Sequence, residues 1–315
     1  MRNEMKGFLY VGLSALFFSL MSLFVKICSL PSSQIVFIRS IFQTFICLLA
    51  CKKQDINPFG PKKIRGLLVL RGLFGGLAVG CYFYGVRYGN LGNITAIFFT
   101  APAMSTLLAT IFLKDKLKVS TVAAILFCLL GTALVAKPEF LFHKDISTDT
   151  PLAIIVIIVG AFLSSAGYLM ISVIGEKAHH LTMVFYFGIM SSLISFIPML
   201  VFVPQIPSIK DVFVLIGVII FAYLGQVTVN AGIQMTSNIA TLMRNLDIVF
   251  AFLYSYFLFK EPLSLLSVLG AFLICFGTGL TIIDKYNNRY SNYDELPPSP
   301  LSPMSHSSSD SSLKQ

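Results

Sequence analysis

The chain of 315 residues is 56% hydrophobic and only 12% charged, and its mean hydropathy is +0.83. A soluble domain carries about 25% charged residues, so this chain has too few charges to cover a water-exposed surface. The composition excludes a soluble globular fold, a coiled coil and whole-chain disorder, and it predicts an all-α membrane protein.

Ten apolar runs follow one another along the chain, each close to the ~20 residues that cross a bilayer as a helix. Turn and charge signals separate them, for example Leu30-Pro31 after the first run. We place ten transmembrane helices near residues 7–27, 33–51, 66–86, 92–113, 119–136, 152–174, 181–203, 212–234, 237–259 and 264–283. Pro102 and Pro198 fall inside spans, where proline can break a helix and leave backbone groups facing a ligand.

Lys and Arg outnumber Asp and Glu by 23 to 14, which gives a net charge of +9. These cations lie in short stretches between the apolar runs, so they indicate membrane orientation rather than nucleic-acid binding. With a cytosolic N-terminus, 14 Lys and Arg fall on the cytosolic side, 6 on the other side and 3 inside spans. The asymmetry predicts a multi-pass protein of the plasma membrane or an endomembrane with both termini in the cytosol.

The two halves of the chain repeat each other at a constant separation of 146 residues. The matched pairs include Lys114 with Lys260, Asp115 with Glu261, Gly131 with Gly277 and Thr132 with Thr278. Because each half holds five spans, an odd number, the second half enters the membrane from the opposite side. The sequence therefore predicts two inverted five-helix repeats, at 7–136 and 152–283, an architecture of secondary transporters.

The last part of the chain differs in kind from the rest. Residues 286–315 are rich in proline and serine and are too polar to bury a core. This composition predicts a disordered cytosolic tail.

Two motifs occur in both halves: Leu113-Lys114-Asp115 matches Phe259-Lys260-Glu261-Pro262, and Gly131-Thr132 matches Gly277-Thr278. Three further stretches stand out in the first half: Ile38-Arg39-Ser40, Arg71-Gly72-Leu73-Phe74-Gly75 and Phe99-Thr100-Ala101-Pro102. Over residues 7–283 the chain resembles the drug/metabolite transporter superfamily in its form with two tandem EamA domains. The first-half stretches are most similar to the eukaryotic solute carrier family 35, G subfamily. The resemblance implies ten helices, cytosolic termini and carrier-type transport of a small organic solute, and it does not fix the substrate.

Three arginines and one carboxylate lie inside the predicted spans: Arg39, Arg71, Arg244 and Asp247. A charge at the bilayer centre costs at least ~2.5–3.5 kcal/mol, so each needs a partner or a water-filled cavity. Arg244 and Asp247 are three residues apart and able to pair; a structural pair and a proton-relaying Asp247 are equal alternatives here. The excess positive charge slightly favours a carboxylate or phosphate solute held by guanidinium groups, over arginines bonded to backbone carbonyls.

Polar side chains recur at helical spacing on repeat-related spans. The stripes are Tyr223, Gln226 and Asn230 in the eighth span, Ser165, Tyr168 and Ser172 in the sixth, and Arg71, Ala78, Tyr82 and Gly85 in the third. Interhelical hydrogen bonding explains any single one of them, whereas the recurrence favours a shared cavity. We predict solute contacts from Arg39, Arg71, Tyr82, Tyr168, Tyr223, Gln226, Asn230 and Arg244, with Asp247 gating transport or coupling a proton.

No Walker, G-x-S-x-G or H-E-x-x-H motif occurs, so no enzyme, metal site or cofactor is expected. The sequence predicts a secondary carrier of a small organic solute, slightly favouring an organic anion, that works by alternating access. One rival is an exporter of cationic or neutral amphiphiles with Asp247 as the cation site. Another is a membrane scaffold or regulator without transport. The expected partners are the solute and the lipid bilayer, and both proton coupling and a homodimer stay open.

Overall fold

The computed structural model describes residues 2–88, 91–113, 118–136, 151–201, 204–236, 238–259 and 265–294. Within these ranges the chain is helical and contains no strand, which confirms the all-α fold class. The first half contains α1 (Arg2–Ile27), α2 (Ser32–Lys53), α3 (Arg65–Tyr88), α4 (Leu91–Phe98), α5 (Ala101–Phe112) and α6 (Val119–Ala136). The second half contains α7 (Pro151–Ile174), α8 (His180–Val201), α9 (Ile209–Met235), a 3-10 helix (Asn238–Asn245), α10 (Leu246–Phe259) and α11 (Leu265–Asp294).

The structure confirms part of the predicted count of ten spans. Seven of the described helices, α1, α2, α3, α7, α8, α9 and α11, are long and apolar enough to cross a membrane. The fifth predicted span, α6, is a shorter apolar helix. The fourth and ninth predicted spans are each divided, into α4 and α5 in the first half and into the 3-10 helix and α10 in the second.

The two divided spans break at repeat-related positions. The first break is at Phe99 and Thr100, and the second lies between Asn245 and Leu246, 146 residues further along the chain. Pro102 stands in the first turn of α5, and because proline has no N–H it cannot bond the carbonyl four residues back. The predicted break at Pro102 is therefore confirmed, whereas α8 continues through Pro198 to Val201.

Contacts along helix pairs show that the two repeats run in opposite directions. In α2 and its repeat counterpart α8, Phe37 contacts Phe196, with ring centroids 5.7 Å apart. Further along α2, the Cys47 thiol donates to the Leu181 carbonyl at 3.1 Å, near the start of α8. Advancing along α2 thus means going back along α8, so the pair is antiparallel and the repeats are inverted.

Most of the main helix contacts have a repeat-related counterpart. The α1–α9 contact corresponds to the α3–α7 contact, the α5–α7 contact corresponds to the α1–α10 contact, and the α4–α7 contact corresponds to that of α1 with the 3-10 helix. The pairs α2–α8 and α6–α11 each join a helix to its own counterpart. The described helices are therefore arranged about an approximate two-fold axis.

The two ends of the bundle are packed differently. At the end where α1 begins and α9 ends, one apolar cluster joins both repeats and includes the fully buried Val11 and Ile174. We call this the closed end. At the opposite end, which we call the α1–α2 end, the corresponding cluster is smaller, and Ser22 and Lys26 are exposed. One end is thus sealed by side chains from both repeats, and the other is less tightly packed.

The last helix is longer than the sequence predicts. α11 continues to Asp294, so residues 286–294, expected as part of a disordered tail, are helical. The stretch after residue 283 contains no glycine or proline before Pro297, so nothing in it interrupts a helix. The rest of the expected tail, 295–315, lies outside the described residues.

Gly131 gives a direct test of the contact between α6 and α11. A Cβ at this position would lie 2.6 Å from the Gly270 carbonyl oxygen, a backbone atom that cannot move aside alone. We expect Gly131→Ala to destabilise the protein by about 1–3 kcal/mol through overpacking. Thermal unfolding of the detergent-solubilised protein measures this effect.

Gly279→Ala is the matched control, because a Cβ at Gly279 of α11 meets nothing within 4 Å. We expect its unfolding temperature to be unchanged or slightly raised, since alanine favours a helix over glycine. Equal effects of the two substitutions would show that the α6–α11 contact is not close.

Candidate solute-binding site

Arg71 lies in α3 as a buried cation, and no carboxylate of the described residues pairs with it. Its side chain is 3% exposed, and its Nη2 donates to Gln226 Oε1 and Asn230 Oδ1 of α9, both at 3.5 Å. These distances are at the long limit for hydrogen bonds, and the Nε atom has no described partner. Two distant amide oxygens leave the guanidinium charge uncompensated.

Glycine backbone and an aromatic ring hold the Arg71 guanidinium in place. A Cβ on Gly75, one turn further along α3, would come within 2.6 Å of Arg71 Nη1, and one on Gly167 of α7 within 3.7 Å. The centroid of the Phe187 ring of α8 lies 5.4 Å from the Arg71 Cζ atom, within the range of a cation–π contact. Four helices therefore converge on this cation.

Arg244 and Asp247 form the second part of the site, at the break of the ninth span. Arg244 Nη2 lies 3.1 Å from Asp247 Oδ2, which confirms the predicted pairing. Arg244 belongs to the last turn of the 3-10 helix, whereas Asp247 stands in the first turn of α10. The Phe18 ring of α1 packs 4.3 Å from Arg244 Cζ, and Nη1 is left without a described partner.

Tyr168 of α7 lies between the two cations. Its hydroxyl accepts a hydrogen bond from Arg244 Nε at 3.4 Å, and a Cβ on the neighbouring Gly167 would lie 3.7 Å from Arg71 Nη1. These two adjacent residues of α7 thus join the cation of α3 to that of the 3-10 helix, and the two form one site.

The polar stripe of α7 faces the divided spans, as its spacing predicts. The Ser165 hydroxyl donates to the Ala101 carbonyl at 3.0 Å, and the Ser172 hydroxyl donates to Asn238 Oδ1 at 3.2 Å. Asn238 in turn donates from Nδ2 to the Ser105 carbonyl at 2.6 Å. These bonds connect α5, the 3-10 helix and α7 around the breaks.

The remaining predicted residues are less closely connected to this centre. Tyr82 packs against Phe98 with ring centroids 4.7 Å apart. Tyr223 packs against the apolar cluster of the closed end. Arg39 donates from Nη1 to the Met21 sulfur at 3.5 Å and has no described contact with Arg71 or Arg244. The structure thus groups Arg71, Tyr168, Gln226, Asn230, Arg244 and Asp247, and leaves Arg39 apart.

Sequence reasoning missed the aromatic and glycine residues that hold the cations. Phe18 and Phe187 are two of 29 phenylalanines in an apolar chain, and no pattern distinguishes them. Gly75 gives a weak signal because it follows Arg71 by four residues, so it shares a helical face with that arginine. In the described ranges, no group of three His, Cys, Asp or Glu residues is arranged to hold a metal ion.

Comparison with known proteins identifies related sequences along most of the chain. The model of the EamA-like transporter family matches residues 5–137 and 151–283. Solute carrier family 35 member G1 from Mus musculus is 27% identical over 289 residues, covering 88% of this chain and 78% of that protein. The pseudopaline exporter CntI from Pseudomonas aeruginosa is 25% identical over 272 residues, covering 85% of this chain and 93% of that protein.

A solved structure shares the same fold. A crystal structure of another protein superposes with a TM-score of 0.74 at 14% identity, covering 89% of this chain and 98% of that one. At this identity the likeness concerns the fold alone. Together, the matches support a membrane transporter of a small solute, with homologues that are named as transporters.

The Arg244–Asp247 pair is tested by removing each charge alone and both together. Asp247→Asn leaves a buried guanidinium unpaired, and breaking a buried pair from one side costs about 3–5 kcal/mol. We expect each of Asp247→Asn and Arg244→Gln to lower the unfolding temperature strongly. The double variant should recover most of the loss, because no uncompensated charge remains.

Thermal unfolding in detergent measures all three variants, and the difference between the double variant and the two single variants gives the coupling energy. Additive losses in the double variant would show that the two charges do not stabilise each other.

Proposed function

Because the chain belongs to the EamA-like transporter family, we propose that it is a secondary carrier of a small organic anion that works by alternating access. The observation that carries the proposal is Arg71, a buried cation whose described hydrogen bonds go to two neutral amide oxygens at 3.5 Å. A carboxylate or phosphate group supplies the missing negative charge, and a guanidinium binds either through its planar fork.

The surroundings of Arg71 suit a ligand that binds and leaves. Glycine backbone and the Phe187 ring fix the guanidinium without neutralising it. The solute therefore meets a positioned charge, which reduces the entropy lost on binding. Arg244 adds an Nη1 atom without a described partner, so one anionic group and a second polar group of the solute find donors on both sides of Tyr168.

The divided spans support a solute site near the middle of the bundle. Both breaks lie at repeat-related positions, and in inverted-repeat transporters such discontinuous helices form the substrate site at the repeat interface. Arg244 and Asp247 flank one break directly. Rocking of the repeats exposes a site between them to each membrane face in turn, and the apolar cluster of the closed end is the seal that must then part.

Asp247 is assigned to gating or proton coupling. Its carboxylate is held by Arg244 at 3.1 Å, so a solute anion that takes over Arg244 releases Asp247 for protonation. The same pairing counts against the rival function, export of a cationic amphiphile, because the carboxylate that a cation needs is already occupied.

The first test is uptake into proteoliposomes of pooled labelled carboxylates, phosphates and amines, with and without an inward proton gradient. We expect saturable uptake of an anion and a loss of about 10- to 100-fold in Arg71→Gln, the effect of removing one charge-assisted hydrogen-bonding group.

Arg65→Gln is the matched control. Arg65 is the first residue of the same helix, so this substitution removes the same charge outside the site. It should keep its uptake within about twofold of the unchanged protein. Uptake confined to amines, or equal uptake by Arg71→Gln, would contradict the anion assignment.

A second test moves Arg71 without removing its charge. Gly75→Ala places a Cβ 2.6 Å from Nη1 and 2.7 Å from Cδ2 of Phe187, so the guanidinium and the ring must both shift and the geometry toward Gln226 and Asn230 changes. We expect a raised KM for the anion identified above, by about tenfold, in folded protein. Gly66→Ala in the same helix meets nothing within 4 Å and should leave the KM unchanged. An unchanged KM in Gly75→Ala would show that the solute does not contact Arg71.

A further inference from the structure

A second polar patch lies on α2, apart from the Arg71–Arg244 centre. Arg39, Ser40 and Gln43 are adjacent on the inner face of this helix and are 3%, 1% and 1% exposed. The opposite face of α2 carries the exposed Phe42 and Phe45. The patch is thus turned into the protein, away from lipid.

This patch is rich in polar atoms without partners. Arg39 Nε, Ser40 Oγ and both the nitrogen and the oxygen of the Gln43 amide are buried and have no described hydrogen bond. A buried polar group without a partner costs about 1–3 kcal/mol, and more when charged. Three such residues within two turns of one helix indicate that a group from outside the chain completes them.

The repeat supplies an internal comparison for these positions. The residues 146 further along are Phe185, Tyr186 and Ile189 of α8. Phe185 and Tyr186 belong to the apolar cluster of the closed end, and Ile189 packs against it. Helix packing at these positions is therefore satisfied by apolar and aromatic side chains, so it does not explain why α2 carries an arginine and a glutamine there.

Arg39 and Arg71 lie at different depths. Arg39 is seven residues after the start of α2, about 10 Å along the axis, and Arg71 is six residues after the start of α3, about 9 Å along it. Consecutive spans run in opposite directions, and the 22 residues of α2 span about 33 Å. The two cations are therefore separated by roughly 13 Å across the membrane, with Arg39 toward the α1–α2 end.

We propose that Arg39, Ser40 and Gln43 form a second solute-binding site for an oxyanion group, between the central site and the α1–α2 end. The guanidinium and the Gln43 nitrogen donate to the anion, and the Gln43 oxygen accepts from a hydroxyl or amine group of the same solute or from a water that solvates it. This inference rests on the proposed carrier function and deepens it, since the site holds the anion on its way to or from Arg71.

The test measures whether position 43 is open to water and lies in a positive field. Gln43→Cys is treated with two thiol reagents of similar size, the anionic sulfonatoethyl and the cationic trimethylammonium-ethyl methanethiosulfonate. Tandem mass spectrometry separates labelling at position 43 from labelling at the buried native Cys47 and Cys51. We expect the anionic reagent to be favoured about tenfold over its preference for a free thiol in solution.

Two arginine variants of Gln43→Cys identify the source of the field. Adding Arg39→Gln should remove the preference for the anionic reagent. Adding Arg65→Gln, the matched control, should keep it within about twofold, because Arg65 starts α3 at the level where α2 ends, ten residues or about 15 Å beyond position 43, and this exceeds the Debye length of about 8 Å at 0.15 M salt. Elution of each variant as a single species on size-exclusion chromatography confirms that it is folded.

Three results overturn the proposal: no reaction of either reagent at position 43, a reaction without charge preference, and a preference that persists in Arg39→Gln. None of them depends on uptake. Anion uptake that requires Arg71 beside an unreactive position 43 therefore keeps the carrier function and removes the second site. An anion-selective position 43 beside no anion uptake keeps the second site and removes the proposed function.

Discussion

Every polar group that this chain carries into the bilayer needs a partner in the protein or in a ligand that the protein encloses, and the architecture follows from that constraint. Helices satisfy the backbone, whereas a break in a helix leaves backbone groups that neighbouring side chains have to bond. The breaks at Phe99–Thr100 and Asn245–Leu246 are enclosed by α7 and by each other through the bonds of Ser165, Ser172 and Asn238. The side chains that enclose the breaks also bring the charged groups of the ninth span to the centre of the bundle.

The three buried arginines meet the constraint in different ways. Arg244 is neutralised by Asp247 and covered by Phe18. Arg71 is positioned by glycine backbone and an aromatic ring, but its charge is not neutralised. Arg39 contacts a methionine sulfur and keeps an unpartnered Nε. The proposed carrier needs cations such as Arg71 and Arg39. A cation already neutralised by the protein gains little from binding a solute anion, and a fully exposed cation does not distinguish one anion from another.

The near-symmetry of the helices contrasts with the asymmetry of their side chains. The inverted repeats give one set of backbone contacts twice, yet positions 71, 244 and 247 correspond to Gly217, Phe98 and Ala101. A symmetric backbone has two equivalent ways to pack, which is what the proposed alternating access requires. In the proposed carrier, the unsymmetrical charges give the solute one preferred binding place, and the polar face of α2 makes the two ends of its route chemically different.

Much of the fold and part of the site follow from the primary sequence. The apolar runs, the offset of 146 residues and the odd number of spans in each half predict inverted helical repeats. Local spacing also predicts the Arg244–Asp247 pair, because residues three apart share a helical face, and Pro102 predicts the break in the fourth span. The ninth span has no proline at its break, and only the structure reveals that a 3-10 helix ends at Asn245 and an α-helix begins at Leu246.

What the tertiary structure alone decided is which of the predicted polar residues meet. Gln226 and Asn230 follow Arg71 by 155 and 159 residues in the chain. No local periodicity of the sequence predicts contacts between residues so far apart. Arg71 and Arg244 meet beside Tyr168, whereas Arg39 lies apart from both. This arrangement depends on the depth of each residue in the helix bundle and on the rotation of each helix about its own axis. Hydrophobic periodicity sets which segments enter the membrane, whereas close packing between distant helices sets which charges share a site.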